Sequence, residues 1–160
     1  MKSMPIWIAT IAALAIAGAA SSAPGEKGHG HDAGYAFGEP GNPKKPARDV
    51  VVTMAESDGK MLFSPDQLQV RKGEQVRFKL KNTGAIDHEI VLATLQENLA
   101  HAKEMEKNPG MEHDDPNAKR LAPSASGEII WKFTKAGTFD FSCLIPGHRE
   151  AGMHGTVIVK

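Results

Sequence analysis

The chain contains one cysteine, Cys143, within the stretch FSCLIPGHREAGMHG. Four residues separate it from His148, and four more separate His148 from Met153. A lone thiol makes no internal disulfide, so it is either inert filler or chemically employed. A thiol, an imidazole and a thioether at this spacing suggest a metal, because coordination holds sulfur as a thiolate in a defined site. Cys143 ends one strand pattern, TFDFSC, and GTVIVK opens another just after Met153, so all three share one inter-strand loop. Pro146-Gly147 is a turn signal that presents His148 back toward the cysteine. The best candidate for a second imidazole is His88, 55 positions before Cys143, where a turn meets a strand.

Together His88, Cys143, His148 and Met153 match the two imidazoles, thiolate and weak axial thioether of a mononuclear type 1 copper centre. Thiolate and thioether suit Cu(I), imidazole suits both oxidation states, and a stiff scaffold limits rearrangement between them. Zinc competes for such ligands, but its usual sites use Cys, His or carboxylate and no thioether. Each residue alone has a plainer reading, Cys143 as a small buried hydrophobe, Met153 as core and His148 as a loop residue. His154 follows Met153 and, where a strand begins, points away from it as a surface residue with a weaker claim to a second metal. Weaker candidates for additional copper are His29 with His31, His101 with Met105, and Met111 with His113. The alternatives there are a soluble tail, solvated helix surface, and a methionine packed on a sheet.

The elements that must position these residues read as short strands. DVVVTMAE is a β-branched run from Asp49, LQV (Leu68–Val70) a second, and HEIVLA (His88–Ala93) another. QVRFKLKN alternates, with Val76, Phe78 and Leu80 on one face and Arg77, Lys79 and Lys81 on the other. EIIWKF alternates through Ile129, Trp131 and Phe133. Such a series predicts an all-β, Greek-key sandwich or barrel. One segment departs from it. Thr94-Leu95-Gln96-Glu97 has the form of a capping box, and Leu95, Leu99 and Ala102 follow at helical spacing before Asn108-Pro109-Gly110. This predicts one helical insertion at about 95–107, then a polar loop to about Ser126.

The first twenty residues, MKSMPIWIATIAALAIAGAA, have the anatomy of a secretory signal, with Lys2 ahead of 16 uncharged residues from Pro5 to Ala20. Cleavage is expected after Ala20, with Ser22 as the alternative, and an uncleaved anchor is the other reading. Residues 21–48, SSAPGEKGHGHDAGYAFGEPGNPKKPAR, are rich in Gly, Pro and charge and predict a mobile arm. The expected organisation is signal 1–20, arm 21–48 and one domain 49–160. Nineteen Lys and Arg balance nineteen Asp and Glu, and no basic patch dominates, which argues against nucleic acid as a partner. No G-x-S-x-G, phosphate-cradling glycine loop or H-E-x-x-H is present, so a carrier is expected rather than an enzyme.

Over roughly Asp49–Lys160 the sequence resembles a cupredoxin, a family with a histidine near the end of an upstream strand and Cys, His and Met on the last inter-strand loop. His88, Cys143, His148 and Met153 occupy those places. The loop spacing is similar to that of rusticyanin. The export signal, the arm GHGHDAGYAFGEPG and IDHEIVL together resemble the CopI-type periplasmic cupredoxins associated with copper tolerance. The resemblance implies a cupredoxin-like β-sandwich, one type 1 copper, a periplasmic monomer without a membrane span after cleavage, and one-electron Cu(I)/Cu(II) redox. It implies either a copper-tolerance role or an electron shuttle between partners such as a periplasmic cytochrome or oxidase; a non-redox zinc or structural β domain stays open as a third reading. It also implies that His148 lies nearest the surface, ringed by Ala85, Ile86, Pro146 and Ala151. Many cupredoxins place Asn or Ser before the upstream histidine, whereas this chain has Asp87.

Overall fold

Alternating apolar residues leave each strand with one face to bury, and here two five-stranded sheets bury those faces against each other. The computed structural model describes residues 34–111 and 115–160. In chain order the elements are β1 (Glu39–Pro40), β2 (Arg48–Ser57), β3 (Lys60–Ser64), β4 (Gln67–Val70), β5 (Gln75–Asn82), β6 (His88–Ala93), α1 (Leu95–Lys107), β7 (Ala118–Leu121), β8 (Ser126–Lys132), β9 (Gly137–Ser142) and β10 (His154–Val159). One sheet runs β1-β8-β5-β2-β3 and the other β4-β10-β9-β6-β7. β2 pairs parallel to β5, and β4 parallel to β10, while the remaining pairings are antiparallel. The expected cupredoxin-like sandwich with one helical insertion is the observed architecture.

β5 shows the alternation at work, with Val76, Phe78 and Leu80 buried while Lys79 and Lys81 are exposed. They join Val52, Met54, Phe63, Ile129, Trp131, Phe133, Phe139, Phe141 and Val157 in the main core. β6 is buried at every position, because α1 and the segment after Cys143 cover its outer face. A second, smaller cluster forms there from Val91, Met105, Ala118 and Leu144.

The helix starts and stops where its capping box and Asn-Pro-Gly stop predict. Thr94 Oγ1 accepts from the Glu97 amide, and the Glu97 carboxylate accepts from the Thr94 amide. Its buried face differs from the expected one. Leu95 and Leu99 are exposed, whereas Asn98 and Met105 are buried and Ala102 is partly so. The helix turns Asn98 inward because the amide group has partners there, the Val91 carbonyl at 3.1 Å and Asp140 Oδ1 at 2.7 Å. Met105 is therefore core and His101 is half-buried.

Two further expectations change. The polar stretch after the helix contains β7, antiparallel to β6 with Glu89 opposite Arg120 and Ile90 opposite Lys119. Its charges suit an edge strand, where one side of the ladder faces solvent. Of the segment expected as an arm over 21–48, residues 35–48 belong to the sandwich. β1 pairs with β8, Phe37 stacks on Trp131 at 4.8 Å and 21°, and Tyr35 meets the same indole edge-on at 4.8 Å. Two aromatic residues bury enough area to order a segment whose average composition is polar. The signal segment, His29, His31 and His113 lie outside the described residues.

Phe37→Ala should lower stability by about 3–5 kcal/mol, read as a fall in the urea midpoint. An unchanged midpoint would detach the Tyr35–Phe37 segment from the folded unit.

Candidate metal centre

Three of the four expected site residues meet at one point. The ligand-type atoms of His88, Cys143 and His148 lie within 4.8 Å of one another, and all three side chains are buried. Both imidazoles present Nδ1 inward, 3.3 Å apart, and Cys143 Sγ is 3.3 Å from Nδ1 of His148. The rings meet at 70° with centroids 5.3 Å apart.

The chain reaches this arrangement through local rules. β9 carries Cys143 in just past its end, and β6 delivers His88 as its first residue. From Ile145 to His148 the backbone makes a four-residue turn, closed by the His148 amide on the Ile145 carbonyl at 3.0 Å. Pro146 precedes Gly147, whose φ of 87° suits the second central position of a type II turn. The loop then folds back on itself. The Met153 amide donates to the His148 carbonyl, and the Cys143 amide donates to the Met153 carbonyl, each at 3.0 Å. Met153 is fully buried and thus tied by its backbone to both other loop residues. β3 braces the loop from outside, the Met61 amide donating to the Ala151 carbonyl at 3.1 Å.

Burial shifts the proton equilibria of two of the three side chains. Burial pushes the Cys143 thiol up to about 12, against the opposing pull of the Glu89 and Ile145 amides. The Glu89 amide lies 3.3 Å from the sulfur. Burial, and then the neighbouring His88, hold His148 below the usual histidine range. His148 is 8% exposed while His88 and Cys143 are 0%, so His148 is the route from the pocket toward solvent. Ala85, Ile86 and Pro146 are exposed and Ala151 is half-buried.

Several supporting residues had no sequence signal. Glu56, on β2, places Oε1 2.7 Å from Nε2 of His88. Asn82 donates to the carbonyls of Ile86 and Leu121 and accepts from the Gly84 amide, which fixes the turn leading into His88. Asp87 is tied to Arg120 of β7 at 3.1 Å. Next to His148, Arg149 makes two bonds to the Asp140 carboxylate, which also accepts from Asn98 of α1 and from Ser142. Apart from Asp87, which stands out beside the upstream histidine, these partners are far apart in sequence, and neither spacing nor composition marks them. His154 opens β10 with an exposed side chain.

One thiol and two imidazoles in a dry pocket, with a methionine fixed on the same loop, are donors that suit a copper ion in either oxidation state. Comparison with known proteins agrees. The profile of the family described as copper binding proteins, plastocyanin/azurin family, matches residues 50–160. The chain is 52% identical over 132 residues to the copper-resistant cuproprotein CopI of Rubrivivax gelatinosus, covering 82% of this chain and 78% of that protein. It is 35% identical to the copper-resistant cuproprotein CopI of Pseudomonas aeruginosa, covering 79% and 84%. Among solved structures, reduced auracyanin from the photosynthetic bacterium Roseiflexus castenholzii superposes with a TM-score of 0.58 at 25% identity, covering 71% of this chain and 99% of that one. With the donors gathered in this way, the chain belongs to the cupredoxins, the plastocyanin/azurin family of copper-binding proteins.

Proposed function

We propose that the chain is an exported type 1 copper protein that works in the periplasm for copper tolerance, in which His88, Cys143, His148 and Met153 would hold the copper. The observation that carries this reading is the convergence of three buried donors on a loop whose backbone bonds bind Met153 to both of its other members. Bound copper supplies a one-electron couple between Cu(I) and Cu(II). The protein's part is to hold the donors still, exclude water and let the thiol give up its proton. Its similarity to copper-resistant cuproproteins supports the tolerance role. The chain acts as a monomeric carrier rather than an enzyme, in keeping with a site that is a closed pocket with one edge at His148.

A second reading, an electron shuttle, is favoured by one feature: Ile86 is 41% exposed beside exposed Ala85 and Pro146, on the segments flanking the least buried ligand. Such an apolar collar suits brief docking of a periplasmic cytochrome or oxidase. Deleting the gene separates the two. Copper sensitivity with normal respiratory electron flow is the expected outcome, and impaired respiration with normal copper tolerance would favour the shuttle.

Cys143→Ser should abolish the intense visible absorption of the Cu(II) form, and a variant that kept its colour would remove Cys143 from the ligand set. The proton inventory is a separate check. A thiol at about 12 must lose its proton on ligation, whereas His148 is already neutral above its lowered range. Loss of the thiol proton should therefore release at least one proton per ion taken up, and apparent affinity should rise at least tenfold per pH unit across the neutral range. Competition against a Cu(I) chelator at several pH values measures this slope. A flat profile would contradict thiolate ligation.

A further inference from the structure

His88 reaches the pocket through Nδ1, which leaves Nε2 on the far side of the ring. That atom does not face solvent or a backbone carbonyl. It lies 2.7 Å from Oε1 of Glu56, a residue on β2 in the opposite sheet. The other carboxylate oxygen is also held, accepting the Ala85 amide at 2.9 Å. Space for the group is provided by Gly84, where an added Cβ would come within 2.5 Å of both carboxylate oxygens. The turn between β5 and β6 is thus wrapped around one carboxylate, with Asn82 fixing its shape from the other side.

The chemistry of this contact is directional. An ionised carboxylate is an acceptor only, so the hydrogen between Glu56 and His88 belongs to Nε2. A neutral imidazole protonated at Nε2 has its lone pair on Nδ1, the atom aimed at His148 and Cys143. A carboxylate behind a ligating imidazole makes the ring a stronger donor, and that favours the more highly charged oxidation state of a bound metal.

We propose that Glu56 is the positioning residue of the upstream ligand: its carboxylate locks His88 with the Nδ1 lone pair facing the pocket and biases a bound copper toward Cu(II). The second half rests on the copper reading above, while the first concerns the polypeptide alone. No other described carboxylate has a hydrogen bond to an imidazole of the site. Glu56 joins the two sheets at the metal pocket, so the sheet that contributes no candidate ligand still sets the state of one.

Two variants test it. Glu56→Gln keeps the shape and removes the charge. Gly84→Ala keeps the charge but displaces the carboxylate, which is the mobile end of its side chain. In the copper-free protein, NMR should show a protected, downfield Nε2 proton on His88 that moves upfield or is lost to exchange in both variants. In the copper-loaded protein, the potential should rise in both, by about 59 mV for a tenfold shift toward Cu(I). A ring proton unaffected by either substitution overturns the positioning role, and an unchanged potential overturns the bias. Should the wild-type protein take up no copper, the site reading fails, and the ring-proton comparison still decides whether Glu56 sets the imidazole. If Glu56→Gln does not fold, Gly84→Ala carries both measurements.

Discussion

A cysteine sulfur buried beside two inward-facing imidazole nitrogens is the constraint on which this structure turns. Each group prefers water or a partner, and all three are removed from solvent with their donor atoms within 4.8 Å of one another. Such a cluster persists only where the surrounding backbone leaves it no alternative. The sandwich provides that through two crossings. The upstream histidine enters on β6 and the sulfur arrives at the end of β9, adjacent strands of one sheet paired from Val91 with Ser142 through Ala93 with Asp140. Strand pairing sets the distance between these two before any side-chain contact is made.

Around this pair the remaining structure acts as bracing. The ligand loop is held by its own amides, by Met61 on β3, and by Arg149 on the buried Asp140 carboxylate. Asp140 also accepts from Asn98, so the helical insertion reaches the loop through a single carboxylate. β7, the strand that follows the insertion, returns to the site by a different route, pairing Leu121 with His88 and clamping Asp87 through Arg120. The insertion thus covers β6 with apolar surface and anchors both ends of the metal pocket. Asp87, directly before the upstream histidine, thereby has its charge met by a cation on β7.

Much of the scaffold was legible because its signals are local. Alternation in Gln75–Asn82 and the capping box at Thr94 each depend on residues within one element, and both elements form where expected. β7 was hidden because Lys119 and Arg120 make an edge strand look like a loop. Tyr35 and Phe37 are diluted by glycines and prolines, so their segment reads as an arm, and only the indole of Trp131, almost a hundred positions later, packs them onto the core. The helix bounds follow from local signals, but its buried face does not. Leu95 and Leu99 look like its buried stripe until Asp140 and the Val91 carbonyl offer Asn98 a reason to face inward.

For the site, the amino-acid sequence by itself determined the donor types. One thiol, a histidine and a methionine share a loop whose Pro-Gly turn is written in the chain, and coordination chemistry is a property of the side chains themselves. What only tertiary structure decided is how those donors are held. The neutral thiol, the inward nitrogen of each imidazole and the carboxylate behind His88 all follow from burial and from contacts between residues tens of positions apart. Local sequence has no access to them, because desolvation and hydrogen-bond partners exist only once the two sheets have closed on each other.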